Sequence, residues 1–124
     1  MKENMVAWFE IPVNDMDRAK AFYDKVFNIS INIQDLGGVL MGFFPSIENG
    51  PGAMGSLIKE DSYIPSHEGT VIYFSSDDLQ VELDRVEEAG GKIIQEKTKI
   101  SPEHGYMGVF QDSEGNRIAL YSHP

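Results

Sequence analysis

The chain has 124 residues, 20 acidic against 10 basic side chains, a formal charge of −10 and no cysteine. That length fits one domain or a tight pair of half-size modules, able to bury about two thirds of its unfolded surface without staples. Disulfides, thiolate metal centres and cysteine nucleophiles are excluded, and the acidity opposes nonspecific attraction to nucleic acid or anionic lipid.

The opening run "MVAWFEIPV" is rich in β-branched and aromatic residues and predicts a strand. It is too short for a membrane span and lacks a signal-cleavage pattern, so a cytoplasmic protein with no membrane partner is expected. In "NDMDRAKAFYDKVF", Asn14 or Asp15 can cap a helix whose apolar stripe is Met16, Ala19, Phe22, Tyr23 and Val26, and Asn28 stops it. "ISINIQDL", "GVLMGFF" and "AMGSLIK" follow as strands, separated by Gly37-Gly38 and the loop "PSIENGPG". After the linker "EDSYIPSHEG" (60–69) the order repeats. "TVIYFSS" is a strand, and "DDLQVELDRVEEAGG" is a helix capped by Asp77 or Asp78, with Leu79, Leu83, Val86 and Ala89 as its stripe and Gly90-Gly91 as its end. "KIIQEKTKI", "YMGVFQD" and "RIALYS" are three more strands, the last two joined by a turn over Asp112–Asn116 in which Gly115 and Asn116 supply positive φ. Asp15 and Asp78 lie 63 residues apart, and the same offset places Trp8 on Val71, Met16 on Leu79 and Tyr23 on Val86. The pattern predicts an α+β fold of two tandem βαβββ modules, residues 1–59 and 70–124, that together make one domain.

The phrases "WFEIPVNDMDRAKAFYDKVF", "VIYFSSDDL", "RVEEAGGKIIQEKTKI" and "DSEGNRIALYS" resemble the vicinal oxygen chelate superfamily, which holds glyoxalase I, bleomycin-resistance proteins and extradiol dioxygenases. "VAWFEIPV", Gly90-Gly91-Lys92 and "DSEGNRIALYS" are most similar to its branch of predicted lactoylglutathione-lyase-related proteins. The resemblance implies that the strands curl into an open, cup-shaped mixed sheet with helices on the outside. It also implies where metal-dependent members carry their histidine and glutamate ligands: those places fall here on Trp8, Val71, Ala119 and Ser56, with Gly55 beside it. None of these is an imidazole or carboxylate, whereas divalent sites need about three or four such donors. No metal and no other cofactor is therefore expected. His67, His104 and His123 fall in linker, loop and tail.

Side chains alternate along a strand, so if Trp8 and Ala119 face the cup, Glu10, Pro12, Arg117 and Tyr121 face it too, with Val71, Tyr73 and Ser75. Phe9, Ile11, Ile72, Phe74, Ile118 and Leu120 then face the helices. Trp8, Tyr73, Arg117 and Tyr121 are candidate ligand-binding residues, and His104 and Tyr106, in "SPEHGYMG", are placed to close over the cup. Glu10 interrupts an apolar strand and needs a partner. Either it forms a structural ion pair with Arg117, or it binds or deprotonates a ligand as the candidate catalytic base.

Three functions fit: a binding protein holding a small planar organic molecule between Trp8 and Tyr73, a metal-independent lyase or isomerase using Glu10, and a structural or regulatory relic whose cup is filled. Relatives of this size usually pair, so a homodimer is expected.

Overall fold

In the computed structural model, which describes residues 2–124, the two predicted caps are Asp15 and Asp78. Asp15 accepts the Arg18 N–H at 3.0 Å and begins helix α1 (Met16–Phe27); Asp78 accepts the Gln80 N–H at 3.1 Å and begins α2 (Leu79–Ala89). Each helix ends on a left-handed residue, Asn28 at φ 53° and Gly90 at φ 106°. Neither is long and apolar enough to cross a membrane.

Strands β1 (Trp8–Pro12), β2 (Asn32–Asp35), β3 (Leu40–Phe43) and β4 (Met54–Lys59) form one sheet in the order β1-β4-β3-β2. Strands β5 (Ile72–Ser75), β6 (Lys92–Ser101), β7 (Gly105–Gln111) and β8 (Arg117–Ser122) form a second in the order β5-β8-β7-β6. β1 runs parallel to β4 and β5 parallel to β8; the other pairings are antiparallel. Glu10 stands opposite Ser56 in the first sheet and Tyr73 opposite Ala119 in the second, so the 63-residue offset holds in register as well as in sequence. β2 is shorter than the run "ISINIQDL" suggests. The Ile31 N–H leaves the ladder to meet the Asp24 carboxylate at 2.7 Å, and Lys20 holds the Ile31 carbonyl at 2.9 Å.

The two sheets are not closed onto each other. Both helical stripes enter one core: Met16, Ala19, Phe22, Tyr23 and Val26 from α1 meet Leu79, Leu83 and Val86 from α2, with Ile11 and Leu57 of the first sheet and Phe110, Ile118 and Leu120 of the second. Phe22 of α1 lies 5.8 Å from Phe110 of β7, and Phe9 of β1 meets Phe74 of β5 edge to face at 5.6 Å. The helix-facing sides of both sheets therefore share a core, and their outward sides are left open. Burying each of these large side chains contributes about 1.5–3 kcal/mol.

The β7–β8 turn joins the modules. Gly115 takes φ 94° as expected, but Asn116 contributes its amide rather than a positive φ: it donates to the Pro12 carbonyl at 2.7 Å and to Asp112 at 3.0 Å. The buried Tyr23 hydroxyl donates to the same oxygen, Asp112 Oδ2, at 2.6 Å. Glu114 reaches the start of α1, where its Oε1 accepts the N–H groups of Asn14 and Asp15, both at 2.8 Å.

Candidate functional site

The outward side of the first sheet carries Trp8, Glu10 and Pro12 on β1, Met54, Ser56 and Ile58 on β4, and Met41 and Phe43 on β3, because register partners share a face. Trp8 and Phe43 meet edge to face at 6.1 Å. The outward side of the second sheet carries Tyr73 and Ser75 on β5, Arg117, Ala119 and Tyr121 on β8, and Met107 and Val109 on β7. Ile11, Ile118 and Leu120 point into the core and Phe9 and Phe74 pack against it, as strand parity predicts.

These outward sides are unusually apolar for exposed surface. Trp8 is 39% exposed, Met54 50% and Tyr73 53%. Beneath them, Ser56 and Ala119, the register partners of Glu10 and Tyr73, are fully buried. The Ser56 hydroxyl has no hydrogen-bond partner among the described residues.

Glu10 and Arg117 do not pair. Glu10 forms no ion pair or hydrogen bond among the described residues, and Arg117 instead donates from Nη2 to the Gly69 carbonyl at 3.1 Å. Its Nε is buried without a partner. The physical reason is that the two residues stand on the outward sides of two separate sheets that share no ladder. Glu10 belongs to one and Arg117 to the other.

The remaining expected site residues divide. Tyr121 lies on the outward side of β8, its hydroxyl 3.4 Å from His123 Nδ1, so the tail histidine joins that face. Tyr106 does not face the cup: paired with Ser122, it packs against the core, with Lys97 Nζ 4.7 Å from its ring centroid. His104 is held in its own turn, its Nδ1 2.7 Å from Ser101 Oγ, which also accepts the His104 N–H at 2.9 Å.

At the four positions where the resemblance expects metal ligands stand an indole, a hydroxyl, an isopropyl group and a methyl group. Among the described residues no three His, Cys, Asp or Glu side chains come together to hold an ion. This donor set does not fit the metal of the metal-dependent relatives.

Sequence reasoning missed two features. Glu114 reads as an ordinary turn residue, yet its side chain is fully buried against Arg18, whose Nε donates to it at 2.7 Å. That contact, together with the two backbone N–H groups, outweighs the upward push of burial and holds the Glu114 carboxyl below its ordinary value. The second feature is an aromatic cleft on the core side of the β1 and β5 edges, where Phe9, Phe27, Phe44 and Phe74 gather from four separate segments.

Comparison with known proteins agrees with this architecture. A "Glyoxylase-like domain-containing protein" of Didymella fabae is 24% identical over 124 residues, covering 96% of this chain and 94% of its own. A glyoxalase/bleomycin resistance protein from Albidiferax ferrireducens T118 superposes with a TM-score of 0.72 at 18% identity, covering 97% of this chain and 100% of its own. TnmS3, an antibiotic binding protein from Streptomyces sp. CB03234, gives 0.67 at 24% identity over 100% and 99% of the two chains. Glyoxalase I from Zea mays gives 0.68 at 15% identity; 94% of this chain is matched, but it spans only 45% of the maize chain. The description "Glyoxalase/Bleomycin resistance protein/Dioxygenase superfamily" matches residues 5–120, almost the whole of the duplicated βαβββ unit, and the chain belongs to that superfamily.

Proposed function

We propose that this protein binds a small planar organic molecule on the outward sheet faces, without the superfamily's metal, in a cup completed by a second copy of the chain. The observation that carries this reading is the pair of half-sites left open in one chain. One presents Trp8, Met54 and, among the described residues, an unpaired Glu10 carboxylate, with the orphaned Ser56 hydroxyl buried beneath; the other presents Tyr73, Tyr121 and Arg117, whose buried Nε has no partner among the described residues. A twofold pair that sets the first face of one copy against the second face of the other brings opposite charges together twice and covers both apolar faces. The half-sites differ in chemistry. A ligand with a donor group at the Glu10 end and an acceptor or anionic group at the Arg117 end satisfies both, and its ring stacks on the indole and phenol.

The similarity to an antibiotic binding protein supports a binding role. Glu10 also supports a second reading, a metal-independent lyase or isomerase, because a carboxylate tied to no cation is free to accept a proton.

The test is a fluorescence titration with planar acids and amides. Trp8 is the only tryptophan, so its emission reports the cup directly, and a saturable quench or shift is expected. Sedimentation at micromolar concentration should give a particle twice the 13.9 kDa chain mass. Emission unchanged across the panel counts against binding, and a particle of single-chain mass counts against the completed cup.

A further inference from the structure

We propose a second binding site, separate from the cup: the aromatic cleft at the module junction takes an uncharged molecule of one or two aromatic rings. The cleft has a volume of about 230 Å³. Phe9 and Phe74 come from the helix-facing sides of β1 and β5, Phe27 is the last residue of α1, Phe44 follows β3, and Ile29, Pro45 and the stretch 53–55 at the start of β4 complete the wall. Glu10 and Tyr73 lie on the opposite sides of the sheets, while Met54, at the start of β4, borders both places.

Chemistry decides the occupant. Every side chain lining the cleft is apolar, so a charged group or a peptide segment entering it would leave polar atoms unpaired. The nearby Phe44 N–H is already donated to the Gly55 carbonyl at 3.1 Å and is not a free donor. Size decides in the same direction. The volume exceeds the ~150 Å³ that accepts a benzene ring and falls below the ~300 Å³ at which drug-sized pockets begin. The walls are set for an aromatic guest. Phe27 and Phe74 lie 4.9 Å apart at 47°, Phe44 and Phe74 5.3 Å apart at 44°, and Phe9 and Phe74 5.6 Å apart at 87°, so an entering ring meets both edges and faces. Gly55 keeps the space open, because a Cβ there would collide with the Phe9 ring and drive it into the cleft.

The experiment titrates toluene, with benzoate as its charged counterpart, into the full chain while following the methyl resonances of Ile29, which also borders the cleft. Toluene should shift those signals saturably, and benzoate should not displace it. Ala53→Leu fills the cleft and should weaken toluene binding at least tenfold at unchanged Tm, whereas Trp8→Phe should leave it unaltered, which separates this site from the cup. The proposal is overturned if benzoate competes equally or if a folded Ala53→Leu chain binds toluene as before. It is also overturned if the Ile29 signals follow protein dilution rather than toluene, since the cleft would then be filled by a second copy.

Discussion

Glu114 and Arg18 form an ion pair across the two modules: Arg18 Nε lies 2.7 Å from Glu114 Oε2 and its Nη2 3.0 Å from Oε1. The glutamate side chain is fully buried and the arginine half exposed, so the carboxylate is the partner that cannot fall back on water. It also closes the start of α1 through two backbone N–H groups, where a negative charge is stabilising. Glu114→Ala should therefore cost about 2–3 kcal/mol, read by chemical denaturation, from the loss of charged hydrogen bonds and of the helix cap. Arg18→Ala should cost clearly less. Because the native carboxyl sits below its ordinary value, this contribution is complete above the unfolded glutamate pKa near ~4.3 and is lost as pH falls through the depressed native value. Glu114→Gln should flatten the acid limb of the stability profile. An unchanged limb would show that the pairing adds nothing.

Tyr23 and Asp112 make the second tie between the modules. Burial first, and the neighbouring Asp112 carboxylate second, push the Tyr23 phenol well above its ordinary value. The folded chain holds it neutral while the unfolded chain ionises near pH ~10, so stability should be flat below that point and fall as pH rises beyond it. Of the five tyrosines, one should stay silent in a phenolate absorbance titration until the protein unfolds. Tyr23→Phe should remove that component and cost about 1–2 kcal/mol, since Asp112 keeps its bonds from Glu114 N–H and Asn116.

Nickel, zinc, iron and manganese should neither copurify in stoichiometric amount nor alter ligand binding, because Trp8, Ser56, Val71 and Ala119 stand where the resemblance to metal-dependent relatives expects ligands. Elemental analysis giving one transition metal per chain would refute this. If turnover is found, Glu10→Gln should lower it on the order of a hundredfold at unchanged Tm.

The elements were legible because local signals agreed: the α1 stripe from Met16 to Val26 is buried residue for residue, and the alternation in "WFEIP" and "RIALYS" places Ile11, Ile118 and Leu120 inward as read. Duplication was legible for the same reason, since Glu10/Ser56 and Tyr73/Ala119 keep one offset. What periodicity does not encode is how two modules meet. Parity assigns Glu10 and Arg117 to outward sides, but only the packing of α1 against β7 and β5 determines whether those sides come within reach of each other, and the two residues make no ion pair. Tyr106 was misplaced by a loop argument where strand register decides, and Glu114 carried no sequence signal because its partners lie about a hundred residues away.

That single core has a consequence for how the molecule comes apart. Neither repeat owns an interior: Phe22 rests on Phe110, Tyr23 on Asp112 and Phe74 on Phe27, so removing either half strips the other of its buried surface. The two halves are distinct as inherited units but share one interior, so the chain should melt in a single cooperative transition rather than repeat by repeat.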